Sequence, residues 1–110
     1  MHANKAVFET IKQELTDSLV VRQCASRHNV VGDLSAMKVC YLLRHHPNLS
    51  VSEVAELVGL SVSATSRCLT KLKTADIVSS SKIAQSVLYQ LKDNDFTKTL
   101  IRQLEPRGKA

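Results

Sequence analysis

Between Ser61 and Leu72 the chain reads SVSATSRCLTKL, and Lys73 and Thr74 follow. Hydroxyls at Ser61, Ser63, Ser66 and Thr70 mix with cations at Arg67, Lys71 and Lys73, yet the apolar residues keep helical spacing. On a helix advancing about 100° per residue, Val62, Thr65, Leu69 and Leu72 gather on one side, with Cys68 at its edge. Ser63, Ser66, Arg67, Thr70 and Thr74 gather opposite, with Lys71 and Lys73 on the flanks. The first side is expected to meet a core. The second carries short hydrogen-bonding groups around one arginine and no carboxylate. That chemistry suits a DNA major groove. Short Ser and Thr side chains, and Ala64 between them, let a helix lie close to base edges. Arginine donates a bidentate pair to guanine O6 and N7. The amides of a helix start are free for a phosphate. A solvated surface helix has a similar composition, so the surrounding elements must decide.

Other reactive residues form no pattern that supports catalysis. The chain has no Gly-rich phosphate loop, no paired carboxylates in a credible pocket and no nucleophile–His–acid set, so no enzyme is expected. The cysteines, Cys24, Cys40 and Cys68, are odd in number and lack a CxxC spacing, which excludes a disulfide framework. Cys24 and Cys40 lie on adjacent expected helices and are candidates for a redox switch, although buried cysteines commonly serve as inert packing. Cys68 borders the polar face, where oxidation would disturb binding directly. Cys24 and His28 are four apart and share a helix face, while His45 and His46 end a helix. Two such ligands hold zinc poorly without two more, and no metal or cofactor is expected.

The elements that position the polar segment follow from periodicity. Residues 4–30 read as one long helix with Phe8, Ile11 and Leu15 on its apolar stripe. Gly32 breaks it. A second helix runs from Asp33 to His46, with Leu34, Met37, Val39, Cys40, Leu42 and Leu43 as its apolar set, and stops before Pro47. Ser50 and Glu53 have capping-box spacing. They open a short helix with Val51, Val54, Leu57 and Val58 as its stripe, and Gly59 sits at the C-cap. Ser61 is an N-cap for the polar helix after a three-residue bridge, which makes a helix-turn-helix. IVSSSKIAQSVLYQL then alternates as two short strands turning near Ile83 and Ala84. Lys82 and Gln85 sit on that hairpin, within reach of neighbouring backbone or minor groove. Asp93 is expected to cap a last helix over 93–105, with Phe96, Leu100, Ile101 and Leu104 as its stripe, and the final EPRGKA to fray. The fold expected is mainly α with a small β-hairpin, a winged helix-turn-helix in the order α-α-α-α-β-β-α, as one domain over 1–110.

A chain of 110 residues fits one domain. Its net charge of +5 suits a polyanionic partner. No apolar run reaches the roughly 18 residues of a membrane span. The N-terminus carries acids early, unlike a signal peptide, so a cytoplasmic protein with no membrane partner is expected.

LSVSEVAELVGLSVSATSRCLTKLKTADIVSSS resembles the DNA-binding core of the ArsR/SmtB family of winged-helix repressors. That family reads L-x-x-x-E-L-A-x-x-L-G-L-S-x-S-T-V-S-R-H-L-x-x-L-x-x-A-G-L-V. GDLSAMKVCYLL resembles its preceding helix and SKIAQSVLYQL its short wing, so the resemblance runs from Asp33 to Leu91. The serine-and-arginine segment is shared with MarR relatives; the short wing favours ArsR. The resemblance implies that Ser61, Ser63, Ser66 and Arg67 contact double-stranded DNA. It also implies that the first and last helices, through Phe8, Ile11, Leu15, Phe96, Leu100 and Leu104, pair across a two-fold axis as a homodimer. Departures are Val62 for a polar residue, Ala64 for Thr, Cys68 for His and Ala84 for Gly. The family's C-V-C metal ligands are replaced by Ser50-Val51-Ser52, and 93–105 holds no His, so both common metal sites are expected absent and no inducer is implied. The expected function is a dimeric repressor on an inverted-repeat operator. The alternatives are a winged-helix protein-interaction module and a MarR-like, thiol-responsive regulator.

Overall fold

Ser18 divides what the sequence pattern reads as one N-terminal helix. The computed structural model describes residues 4–105; the expected frayed tail from 106 onward lies outside them. Helix α1 spans Lys5–Asp17 and α2 spans Leu19–Val31. Between them Ser18 turns extended, at φ −65° and ψ 113°, and its hydroxyl accepts from the Val21 amide. Serine competes with the helical backbone in this way and so favours caps over helix interiors. The Arg22 guanidinium closes the corner by donating to the Thr16 carbonyl.

Helix α3 (Leu34–His45) starts at Asp33, whose carboxylate accepts from the Ala36 amide. Helix α4 (Val51–Val58) opens on the expected capping box. The Glu53 amide donates to Ser50 Oγ at 3.2 Å and the Ser50 amide to Glu53 Oε1 at 2.9 Å. Gly59 ends it at φ 76°, in the left-handed region. Helix α5 spans Val62–Thr74 and α6 spans Asp95–Leu104. The α6 cap is Asn94 rather than the expected Asp93: Asn94 Oδ1 accepts from the Thr97 amide and Thr97 Oγ1 from the Asn94 amide, both at 3.0 Å. The buried Thr97 hydroxyl also donates to the Lys92 carbonyl at 2.6 Å, which fixes this start against the end of the hairpin.

Strands β1 (Val78–Ile83) and β2 (Ser86–Leu91) pair antiparallel from Val78↔Leu91 to Ile83↔Ser86. Leu49 bridges Tyr89, so the hairpin is tied to the segment before α4. Asp76 joins three elements. Its carboxylate meets Lys92 Nζ at 2.7 Å and an Arg27 guanidinium nitrogen at 3.4 Å. The hydrogen bond from Lys92 is the largest influence holding this carboxyl below its usual range.

The core forms around α3. Val39, Cys40 and Leu43 pack with Val54, Leu69, Leu72, Ile77, Val78 and Leu100. Burial of each large aliphatic side chain contributes about 1.5–3 kcal/mol. Three residues expected to face inward do not: Leu34 is 70% exposed, Leu57 62% and Val62 51%. Each sits at or near a helix end, where the stripe has run past the neighbour that covers its middle.

Ala84 occupies the hairpin turn at φ 55°, a conformation that favours glycine. An L-residue there costs roughly 1–2 kcal/mol, partly offset by the greater unfolded-state freedom of glycine. Ala84→Gly is therefore expected to raise stability by about 0.5–1 kcal/mol. Urea unfolding checks this, and a loss of stability would mean that the turn is relaxed with alanine.

Candidate nucleic-acid interface

Helix α5 is set by its two ends. Upstream, the left-handed Gly59 lets the chain reverse after α4, and Ser61 Oγ accepts from the Ala64 amide at 3.1 Å to start the helix. Thr65, Leu69 and Leu72 are buried and anchor one side. The Thr65 hydroxyl has no hydrogen-bond partner among the described residues, so this threonine serves as packing. Downstream, Lys73 Nζ donates to Ser80 Oγ at 2.7 Å and holds β1 against the end of the helix.

The opposite side faces solvent. Ser63, Ser66, Arg67, Thr70, Lys71 and Lys73 are exposed, and Ala64 is half-buried. No carboxylate occurs between Val62 and Thr74. Three polar groups of this segment already hold one bond within the chain. The Ser61 hydroxyl is engaged in the cap, the Thr70 hydroxyl donates back to the Ser66 carbonyl at 2.9 Å, and Lys73 is taken by the wing. Ser63 Oγ lies 3.4 Å from Ser61 Oγ, while the side chains of Ser66, Arg67 and Lys71 make no hydrogen bond among the described residues. Lys82 and Gln85 are exposed on the hairpin, Lys82 opposite Val87 and Gln85 in the turn.

A cavity of about 390 Å³ lies beside this face. Arg67 and Lys71 line it together with Asn29, Asp33 and Ser35. The first turn of α3 is thus brought next to the cations of α5, a juxtaposition that the pattern along the chain does not carry, because it depends on how α2 and α3 pack across α5. The only sequence signal for it is Asp33 as the cap of α3.

The model of the winged helix-turn-helix DNA-binding family matches residues 37–79. That stretch contains α4, the Gly59 turn and α5, the elements just described. The chain is a DNA-binding transcriptional regulator of winged helix-turn-helix type. The transcriptional regulator YgaV of Escherichia coli K12 is 28% identical over 83 residues, covering 76% of this regulator and 83% of YgaV. The cadmium resistance regulatory protein CadC of Listeria innocua is 31% identical over 64 residues, 58% of this regulator and 54% of CadC. The regulator therefore spans about half the length of CadC. Among solved structures, the homodimeric DNA-binding domain Mb0332 of Mycobacterium bovis, described as a possible ArsR-family regulator, superposes with a TM-score of 0.71 at 16% identity. The match covers 77% of this regulator and 78% of that chain, and shows the shared fold. This regulator is a DNA-binding protein of the winged type, not an enzyme.

The three cysteines of the regulator sit in different surroundings. Cys40 is wholly buried, and burial, with the nearby Cys68 thiol second, pushes its pKa up to about 12. At neutral pH it stays a thiol, and the thiolate is the reactive form. Cys68 is half-buried and also raised, by burial first and then by Asp33, while Lys71 acts in the opposite direction. Cys24 is exposed, its sulfur 3.6 Å from His28 Nδ1 on the same helix face. The desolvated Cys40 weakens the case for a switch built on it.

The expected dimer residues separate into two groups. Phe8, Ile11 and Leu15 are exposed. Leu100 is not: it is 5% exposed and belongs to the chain's own core. Phe96 and Leu104 are half-buried against that core, and Phe96 is met edge-on by the His28 ring at 5.1 Å and capped by Arg27 at 5.9 Å. Helix α6 folds back onto its own chain, which removes Leu100 from the exposed interface. Among the described residues, no helix is long and apolar enough to cross a membrane.

Proposed function

We propose that this regulator is a homodimeric repressor of the ArsR type, working in the cytoplasm on an inverted-repeat operator. The observation that carries this is the carboxylate-free outer side of α5, presenting Ser63, Ser66, Arg67 and Lys71 from a helix anchored at both ends. In this reading Arg67 reads a base edge. Ser61 and Ser63 meet backbone at the helix start, Ala64 permits close approach, and Ser66 and Thr70 fill the groove. Lys71, Lys73, Lys82 and Gln85 lie along the flanking phosphates. In this dimer a two-fold axis places two copies of α5 in successive major grooves, about 34–36 Å apart. The exposed apolar stripe of α1 supports the dimer, because leaving each such side chain wet forfeits about 1.5–3 kcal/mol.

Sedimentation of the free protein, followed by titration onto operator duplex in increasing salt, tests the proposal. Two chains per duplex are expected, with affinity falling steeply as phosphate contacts release counterions. A monomer in both states would overturn the dimeric reading. A nearly salt-independent affinity would favour the interaction-module alternative.

A further inference from the structure

A groove of about 810 Å³ lies between α3, the end of α4 and the end of α6, away from the polar face of α5. Its volume falls within the roughly 300–1,000 Å³ of small-molecule sites. The walls are aliphatic: Leu34 and Leu42 from α3, Leu57 from α4 and Leu104 from α6. Leu34 and Leu57 are exposed in the single chain, so this apolar surface is wet until something covers it. The ionisable groups around it all come from α3 and its cap: Lys38, Tyr41, His45 and His46. Among the described residues, no Asp or Glu lines the groove. Lys38 is one turn from both Leu34 and Leu42, on the same face of α3. It is exposed and makes no ion pair among the described residues. The Tyr41 and His45 rings pack against each other at 4.6 Å between centroids, so His45 is already engaged where Lys38 is not.

We propose that this groove binds a small apolar carboxylic acid, a medium-chain alkyl carboxylate, and that the bound acid is an inducer. The alkyl chain lies along Leu34, Leu57 and Leu104, and the carboxylate meets Lys38 Nζ. Removing the chain and the leucines from water together drives the binding, in proportion to the apolar area covered. The head group is selected by charge. A carboxylate accepts charge-assisted bonds from an ammonium, and no acidic wall residue opposes it. An alkylammonium of the same length would meet Lys38 with like charge and no counter-ion. The site bears on DNA through α4. Leu57 and Val58 line the groove and are the last residues of that helix, directly before the left-handed Gly59 that turns the chain into α5. A ligand shifts a conformational equilibrium by its differential affinity for the two states. An acid seated between α3 and Leu57 favours placements of α4 that leave room for it, and α5 moves with α4 out of its DNA-reading position. This second step rests on the operator reading above; the binding step does not.

Calorimetric titration of decanoate, decanol and decylamine into the full chain, below micelle formation, tests the site. Decanoate is expected to bind at one per chain, and the other two at least tenfold more weakly. Lys38 and Leu57 are exposed, so the fold tolerates their replacement. Lys38→Glu is expected to reverse the preference between decanoate and decylamine, and Leu57→Gln to weaken decanoate at least threefold. Equal affinity for the three probes, or a decanoate affinity unchanged in both variants, overturns the site. So does a decanoate affinity that falls as protein concentration rises, which would put a second copy in the groove. Anisotropy of operator duplex then reads the coupling. Saturating decanoate is expected to lower operator affinity at least fivefold in the unmodified protein and not in Lys38→Glu. An operator affinity indifferent to bound decanoate overturns the inducer role. A protein that binds decanoate as expected but no duplex, with or without it, overturns the operator reading instead, because the titration contains no DNA.

Discussion

Replacing Arg67 with alanine is expected to lower operator affinity by about 1–3 kcal/mol, and to lower affinity for random duplex by less. Arg67 projects from the exposed side of α5, one turn before Lys71. Among the described residues it makes no ion pair, so its guanidinium need not leave a partner on meeting DNA. A bidentate arginine–guanine pair supplies discrimination of that size, whereas a phosphate contact supplies affinity without discrimination. Anisotropy titrations of both duplexes at one salt concentration separate the two. An equal loss on operator and random DNA would reassign Arg67 to a phosphate, which its position beside the first turn of α3 also permits.

Leu100→Ala is expected to destabilise the fold by about 2–5 kcal/mol, the range for truncating a buried leucine. Leu100 belongs to the same buried cluster as Val39, Leu43 and Leu72, and α6 is held to the hairpin end through Asn94 and Thr97. The truncation leaves a cavity inside one chain. Urea unfolding of the variant should therefore show a lower midpoint at every protein concentration tested. A midpoint unchanged at high concentration but lowered on dilution would mean that Leu100 packs against a second copy, as the sequence resemblance implied.

The parts of the fold that were legible in the sequence are those written in local chemistry. The capping box at Ser50 and Glu53, the left-handed Gly59 and the Ser61 cap each occupy a few adjacent residues, and together they define the helix-turn-helix. The hairpin turn at Ala84 was legible from alternation alone, although alanine is strained there. What escaped depends on tertiary packing or on near-equal local choices. Ser18 lies within an unbroken apolar period, and the sequence does not reveal that its hydroxyl turns back to cap α2. Asp93 and Asn94 are both good caps, and Asn94 prevails because its side-chain amide also donates to the Asp76 carbonyl at 2.8 Å. Leu34, Leu57 and Val62 keep helical spacing but lie where no neighbour reaches. In the interface, the residue types of α5 were legible. The commitments of Ser61, Thr70 and Lys73 to the cap, the backbone and the wing were not, because a wheel shows direction and not hydrogen bonds.

The central claim is that the outer face of α5 reads base sequence from a two-fold dimer. Selection of bound sequences from a random duplex library, with reduced and metal-free protein, tests it most directly. The expected result is one enriched inverted repeat with half-site centres about 10–10.5 base pairs apart, its enrichment lost with Arg67→Ala. Recovery of an unenriched pool, bound weakly and released by modest salt, would contradict it.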